Sequence, residues 1–488
     1  MAKGTSKAKN STARNGEGST GTKGTAGKRR GPDKTRRVNV GIKGHEPRAA
    51  LHALGFRAKV RMYRQGLGDC HLIRLPRPGD PSRDYFIMID CGVVLGTSNP
   101  QDKMVPVVKD IIETTGGRAD LLIITHEHWD HLSGFIQARE AFRGFNADEI
   151  WLAWTEDPDD ELAKKLRAEK GQALAALMLG LSHLHLSGNS AAAEDLSSMV
   201  EFFGAGKGAT TGDALEIVRG FNPQKIRYRR PKDPPEVPSE LGGVRFFVMG
   251  PPPDESLLKR TNPSKSNHEG FDLALAHVTE QIEPALTGGE SGPFDAIHSI
   301  PFEIAAEMDF FKAYYWDNRQ TAQRWRSIDA PWLGGSEELA LQLDNMTNNT
   351  TFVLAIELHG GDVLLFVADA QVGNWLSWQD LSWTVDGKTV SGPDLLRRSI
   401  FYKVGHHGSY NATLREKGLD MMSNLQMAFI PVDHEMAVKK RWGRMPLPDI
   451  VSELQKKTND RVFRIDMPNM TTLPDNVQVT SLYIEAVF

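Results

Sequence analysis

Short apolar runs alternate with amphipathic segments near both ends of the chain. The runs Tyr85–Ile89 and Leu121–Ile124 are typical of buried strands, and Met104–Thr114 between them has apolar residues at helical spacing. Gly116 and Gly117 then end the helical pattern. The order strand, helix, strand predicts a layered α/β fold.

The same two periodicities predict the other elements. Two glycines, Gly360 and Gly361, separate two apolar runs and predict a hairpin. The predicted strands cover residues 56–63, 70–75, 85–89, 121–124, 150–154, 245–249, 352–358, 363–367, 401–404, 427–432, 461–466 and 477–487. The predicted helices cover residues 104–114, 132–145, 159–186, 191–204, 211–220, 413–422 and 447–457.

Two stretches depart from the α/β pattern. Residues 1–47 contain almost no apolar side chains, so they cannot offset the entropy of ordering, and we predict a disordered tail. Residues 155–345 begin with a long helical stretch and continue as Pro- and Gly-punctuated sequence with many aromatics. We therefore predict one domain over residues 48–488 that carries a large, mainly helical insertion over most of 155–345.

Charge divides the chain in the same place. Residues 1–43 carry twelve Lys or Arg against two acids, a balance of +10, whereas the whole chain is at −4, which leaves −14 for the rest. The basic tail can bind the phosphates of a nucleic acid, or it can serve only to keep the protein in solution. The sequence does not decide between these two hypotheses.

Composition indicates a soluble protein. The chain is 40% hydrophobic and 25% charged, and it has no apolar run of the about 18 residues that a membrane crossing needs. Cys70 and Cys91 are too few for a disulfide framework. We expect two buried thiols in a reducing cytoplasm, with a single disulfide as the alternative, and the oligomeric state is not predictable.

Candidate metal ligands follow directly behind the apolar run that ends at Ile124. His126 and His128 alternate along extended chain and so point the same way. Asp130 and His131 follow where a helix begins, and its first turn aims them back towards the strand end. The result is two pairs of ligands suited to two adjacent ions, and nitrogen with carboxylate oxygen favours zinc, manganese or iron over calcium.

Later motifs can complete this site. Asp369 ends an apolar strand and suits a carboxylate that bridges two cations. His406 and His407 follow another apolar run beside glycines, so one can bind the second metal while the other faces substrate. We favour His407 as the ligand and His406 as the substrate contact or proton donor, although the pattern does not separate them. Ser409 can donate a hydrogen bond to a phosphate.

These motifs, in this order, resemble a known family. The motifs are Gly-Leu-Gly-Asp at 66–69, Asp-Cys-Gly at 90–92, Thr-His-Glu-His-Trp-Asp-His at 125–131, Asn-Asn at 348–349, Ala-Asp at 368–369 and His-His-Gly-Ser at 406–409. They are similar to the soluble metallo-β-lactamase domain of the competence protein ComEC and its stand-alone relatives. The likeness covers about residues 57–154 and 346–470.

The resemblance implies an αββα sandwich with a one- or two-metal site at the sheet ends. It implies that Asp369 bridges the metals. It also implies that Asp90 orients the loop at residues 125–131, here called the histidine loop, from outside the coordination sphere. Asn348 and Asn349 stand near the place where many relatives carry a histidine, so the first metal lacks one ligand in this pattern.

The function that follows is a hydrolase, in the first place a phosphodiesterase or nuclease that uses a hydroxide activated by two divalent metals, zinc first and manganese second. Asp130 and His406 are the expected catalytic residues: Asp130 binds one metal and orients the hydroxide, and His406 stabilises charge on the phosphoryl oxygens. Nucleic acid or another phosphodiester is the expected substrate, and no membrane partner is expected. Two alternatives remain open: hydrolysis of a carboxylic ester, lactone or thioester on the same metal pair, and a weakly active protein that binds nucleic acid or a partner.

Overall fold

The computed structural model describes most of the chain from residue 55 onward. It covers residues 55–186, 209–260, 302–316, 329–440, 445–468 and 473–488, with Ala193, Leu196, Ser197, Val200, Phe203, Ile300 and Trp442. The predicted tail, residues 1–47, and most of the predicted helix 191–204 lie outside the described residues.

Strands and helices alternate through the described residues. The strands are β1 Lys59–Tyr63, β2 Cys70–Leu75, β3 Tyr85–Cys91, β4 Arg118–Ile123, β5 Asn146–Ala153, β6 Ile226–Arg229, β7 Arg245–Gly250, β8 Val353–Glu357, β9 Val363–Phe366, β10 Ser382–Val385, β11 Lys388–Ser391, β12 Ser399–Lys403, β13 Met427–Ile430, β14 Val462–Arg464, β15 Val477–Val479 and β16 Tyr483–Val487. The helices are α1 Pro100–Thr115, α2 Trp129–Gln137, α3 Glu161–Leu186, α4 Thr211–Phe221, α5 Glu255–Leu258, α6 Phe302–Glu307, α7 Asp309–Phe311, α8 Asp329–Asn349, α9 Val372–Ser377, α10 Gly392–Arg397, α11 His434–Lys439 and α12 Pro448–Thr458.

Two large sheets contain nearly all of these strands. The first has eight strands in the order β15-β16-β1-β2-β3-β4-β5-β6, and the second has six in the order β14-β13-β12-β9-β8-β7. In the first sheet β3 to β6 run parallel, and in the second β9, β12, β13 and β14 run parallel. The carboxyl ends of parallel strands meet at one edge of a sheet, and ligand sites form there. The fold is therefore mixed α/β, as predicted.

The two sheets share one hydrophobic core, and helices cover the opposite faces. Strand β3 shows the arrangement, because Ile87 and Ile89 belong to the core common to both sheets, whereas Phe86 and Met88 pack with α1, α2 and α4. Side chains alternate across a strand, so a strand buried on both faces is apolar throughout. On the far side of the second sheet, Trp375 of α9 and Leu454 of α12 belong to a third cluster.

Three predicted elements differ from the structure. The helix predicted over 132–145 ends at Gln137, and tight turns bring Phe142 back onto Phe135 with ring centroids 5.1 Å apart, so turns satisfy the apolar spacing. Residues 413–422 form only the short helical turn Leu419–Met421. The strand predicted over 477–487 is two strands, because the Thr480 hydroxyl accepts from the amides of Leu482 and Tyr483 and holds a turn.

Residues 155–345, which we predicted to be largely insertion, contribute two strands to the sheets. Strand β6 extends the first sheet beside β5, and β7 forms the edge of the second sheet beside β8. Helices α3 and α8 pack on each other instead, in a separate apolar cluster that includes Leu177 and Leu343. Among the described helices, none combines the length and apolarity that a membrane crossing requires.

Replacing Gly134 with alanine tests the packing of α2 on β3. A Cβ at Gly134 would lie 2.6 Å from Cys91 Sγ and 2.8 Å from the Cys91 carbonyl oxygen, so the helix must move. We expect the free energy of unfolding to fall by about 1–3 kcal/mol in urea titrations. The matched control is Gly220→Ala in α4, where a Cβ meets nothing within 4 Å. Equal stability of the two variants would contradict this packing.

Candidate metal centre

Two glycines allow the histidine loop to lie against neighbouring backbone. A Cβ at Gly92 would lie 2.3 Å from the Asp130 carbonyl oxygen, and one at Gly68 would lie 2.6 Å from the same atom. The amide of Asp69 donates to that oxygen at 3.0 Å. The glycines of the two motifs thus permit a backbone approach that any side chain would block.

The histidine loop also joins the two sheets. The loop follows β4 of the first sheet, and the carbonyl oxygen of Thr125 accepts from the amide of Phe352, just before β8 of the second sheet, at 2.7 Å. Side chains from strand ends of both sheets therefore meet at one place. Helix α2 begins at Trp129, so Asp130 and His131 lie in its first turn, as predicted.

Three groups of described side chains can hold a metal ion. Asp69, Asp90 and His131 form one of them, and the two further groups share Asp369. In the first of these two, His126 and His128 are close together, with His126 Nε2 3.0 Å from His128 Nδ1. In the second, His407 Nε2 lies 2.9 Å from Asp130 Oδ2, and His131 Nε2 lies 3.2 Å from Asp369 Oδ2. These side chains, from three separate segments, are all buried.

Geometry distinguishes the two adjacent histidines. His407 Nδ1 lies 2.7 Å from the Pro431 carbonyl oxygen, which fixes a proton on Nδ1 and leaves Nε2 for a metal. His406 belongs to neither group, and its Nε2 lies 4.0 Å from Asp369 Oδ2. Both residues have left-handed backbone, with φ of 40° and 54°, which turns their side chains apart.

Ser409 lies beside His406 on the same loop. Its hydroxyl lies 3.1 Å from His406 Nδ1 and donates to Asn411 Oδ1 at 3.0 Å. The Ser409 hydroxyl donates its one proton to Asn411, so it can only accept a hydrogen bond from His406. The proton of the neutral His406 ring is then on Nδ1, and Nε2 is left as a proton acceptor. Ser409 therefore positions the imidazole ring of His406.

Asp90 holds the histidine loop from behind. One carboxylate oxygen accepts from the Thr125 amide at 2.8 Å, and the other accepts from the Thr125 hydroxyl at 2.6 Å and lies 2.8 Å from His131 Nδ1. This partner fixes the tautomer of His131, so that its Nε2 faces Asp369. The position agrees with the orienting role that the resemblance implies for Asp90.

Sequence reasoning missed a buried ion pair beneath the site. Lys403, at the end of β12, lies 2.5 Å from Asp69 Oδ2 and 3.5 Å from Asp369 Oδ1. It also donates to the Ala368 carbonyl oxygen at 2.9 Å. Asp69 lies in the Gly-Leu-Gly-Asp motif and Lys403 in the predicted strand 401–404, where a lysine inside an apolar run was the signal that could have identified the pair.

The two asparagines before β8 have separate roles. The Asn349 amide donates to the Arg260 carbonyl oxygen at 3.0 Å, and the Asn349 carbonyl oxygen accepts from Asn374, so Asn349 joins segments away from the metal groups. Asn348 Nδ2 donates to Asp344 Oδ2 at 3.2 Å. Sequence reasoning missed Asp344, whose Oδ1 lies 3.7 Å from His128 Nε2.

Burial sets the protonation of the first group. It lowers the pKa of His128 to about 3 and holds that of His126 well below its usual range, so both rings are neutral. Burial also raises the pKa of Asp344 to about 8, with the nearby Asp130 and Asp369 acting in the same direction. Neutral imidazole is the form in which histidine binds metal, whereas Asp344 is mainly protonated at pH 7.

The second group has the opposite balance. Burial opposes charge on His131 and His407, but Asp369 and Asp130 outweigh it and raise the pKa of both rings. Burial likewise opposes ionisation of Asp130, yet His131 and His407 lower its pKa to about 2. Within the described residues, the buried Oδ1 of Asp130 has no hydrogen-bond partner. The residues therefore fit a divalent cation, which would replace the imidazole protons.

Comparison with known proteins identified no relative of this chain. No protein-family model, no curated protein and no solved structure matches the chain.

Proton release tests the charge balance of the second group. Because Asp369 and Asp130 raise the pKa of His131 and His407 against the effect of burial, a metal must compete with protons for these rings. We expect manganese binding at pH 7 to release about one to two protons, and affinity to rise from pH 6 to pH 8 as the rings lose them. Calorimetry in PIPES and in Tris measures this release, and equal heats in both buffers would contradict the account.

Proposed function

We propose that the protein is a metallo-β-lactamase-fold hydrolase that cleaves phosphodiester bonds with two divalent cations. The observation that carries the proposal is the pair of ligand groups that share Asp369. A carboxylate shared by two groups of buried imidazoles is suited to two cations about 3.5–4 Å apart. The ligand groups are His126, His128 and Asp369, and Asp130, His131, Asp369 and His407.

The layering supports an αββα sandwich. Two sheets enclose a common core, and helices pack on the outer face of each sheet. The ligands follow strand ends in the chain order that the resemblance implies. Zinc fits these mixed nitrogen and oxygen ligands, and manganese fits them as the carboxylate share rises. Cys70 and Cys91 are buried free thiols, which agrees with the proposed cytoplasmic location.

When bound, the two cations would supply Lewis-acid stabilisation of phosphoryl oxygens and lower the pKa of water. The chain contributes positioning and proton transfer. His406 reaches the site from the side, is 12% exposed and presents its Nε2 as a proton acceptor. Burial lowers its pKa to about 4, so the ring is neutral at pH 7 and can take a proton from the attacking water.

Helix α3 of the predicted insertion borders the site. Lys170 of α3 pairs with Glu127 of the histidine loop at 2.7 Å and lies 5.4 Å from the ring centroid of Phe203. The same Phe203 ring lies 5.3 Å from that of His128 and is only 2% exposed, so it supports the loop and is not open for a base to stack on. Nucleic acid is the first substrate to test because the ligand groups suit a phosphodiester.

An assay with wild type and His128→Ala tests the function. We expect purified wild type to contain zinc or manganese and to hydrolyse bis-p-nitrophenyl phosphate, DNA or RNA. Loss of His128 should lower kcat/KM by at least about a hundredfold, because one cation is lost. The control is His359→Ala, whose Nε2 lies 2.9 Å from the Leu241 carbonyl oxygen, far from the ligands in the β8–β9 turn.

The outcomes separate the alternatives. If the wild-type protein binds metal but cleaves only carboxylic esters, lactones or thioesters, the phosphodiesterase proposal is wrong. The alternative, a hydrolase of those bonds on the same metal pair, is then favoured. A wild-type protein and a His128→Ala variant with the same metal content and no activity would refute the phosphodiesterase proposal. Deletion of residues 1–47 shows whether the tail adds affinity for nucleic acid at low salt.

A further inference from the structure

The two carboxylate oxygens of Asp369 face different groups. Oδ2 lies within reach of the Nε2 atoms of four histidines, which are His131 at 3.2 Å, His407 at 3.8 Å, His126 at 3.9 Å and His406 at 4.0 Å. Oδ1 faces Lys403 instead, with 3.5 Å between this oxygen and Nζ. Within the described residues, Oδ1 is buried and accepts no hydrogen bond. The carboxylate is thus oriented with one oxygen towards the ligand rings and the other towards a cation of the chain itself.

Strand pairing brings Lys403 to this place. Strands β9 and β12 are parallel neighbours, and Lys403 stands beside Phe366 in their register, three residues before Asp369. Lys403 is 1% exposed, so its ammonium group depends on partners within the protein. The partners are the carboxylates of Asp69 and Asp369 and the carbonyl oxygen of Ala368.

Lys403 also holds the backbone that leads into Asp369. Its Nζ donates to the Ala368 carbonyl oxygen at 2.9 Å, and the His406 amide donates to the same oxygen at 2.9 Å. Ala368 has a φ of 42°, in the left-handed region that residues with a Cβ rarely adopt. Such a conformation persists only where the surroundings fix it. Lys403 therefore constrains both the side chain of Asp369 and the residue before it.

We propose that Lys403 is a positioning residue that holds Oδ1 of Asp369 away from the cations, so that this carboxylate bridges them through Oδ2 alone. The inference rests on the proposed two-metal function and deepens it. One carboxylate oxygen has two lone pairs, so Oδ2 can contact both cations. Because Oδ1 is held by Lys403, the carboxylate does not chelate either cation. A coordination position then stays open for water or a phosphoryl oxygen.

The test must separate this role from a simpler one. The shorter contact of Lys403 is with Asp69, at 2.5 Å, so the alternative is that Lys403 only neutralises Asp69. Removing Lys403 alone leaves a buried carboxylate without its cation, which is strongly destabilising. The double variant Lys403→Met with Asp69→Asn removes both charges together. It keeps the charge balance and abolishes only the hold on Asp369.

Crystal structures of the zinc-loaded full-length protein, with zinc calorimetry, test the proposal without an activity readout. In wild type we expect both ions to lie about 2.0–2.2 Å from Oδ2 and neither to lie that close to Oδ1. In the double variant we expect Oδ1 to coordinate one ion at this distance. Calorimetry should show one of the two ions bound at least about tenfold more weakly, because the ligand has lost its orienting partner.

The matched control is Lys170→Met. It removes a lysine that pairs with Glu127 of the histidine loop, and we expect two ions bridged by Oδ2 as in wild type. Thermal unfolding in chelator shows whether the double variant is folded. Coordination of Oδ1 in wild type would overturn the inference alone. So would a folded double variant with the bridge through Oδ2 and both affinities unchanged. A wild-type protein that binds no ion, or only one, would overturn the two-metal function as well.

Discussion

The site depends on one constraint, which is that many carboxylates and imidazoles are buried together in one cluster. Asp69, Asp90, Asp130 and Asp369 are each at most 2% exposed. Lys403 balances Asp69, and protons on His131 and His407 balance the others when no metal is present. Such a cluster needs compensating positive charge, and the same buried groups could hold a metal ion in place of these protons.

The fold meets this constraint by bringing strand ends from two sheets to one place. The first sheet supplies the histidine loop and Asp90, and the second supplies Asp369 and His407. Phe352 joins the sheets at this edge through the carbonyl oxygen of Thr125. Glycines at 68 and 92 let the backbone of Asp130 sit close enough for its side chain to face inward. Helices α3 and α8 border the histidine loop from outside the sheets, through Lys170 and Asp344.

Most of the strands and the ligand motifs could be predicted from the sequence, because burial on both faces and clustered histidines leave local patterns. Asp344 could not, since it lies in a helix without a motif and meets His128 only through the packing of α8. The sequence shows Asp69 and Lys403 as charged residues beside apolar runs, but their pairing depends on how distant strands are arranged in the two sheets. The helix predicted over 132–145 was too long because aromatic side chains in turns imitate helical spacing.

Our proposal requires one buried site that holds two cations, with Asp369 between them. Anomalous diffraction from crystals grown with manganese can locate both cations. We expect two peaks about 3.5–4 Å apart, one on each side of the Asp369 carboxylate. A single peak, or peaks that do not touch Asp369, would contradict the proposal.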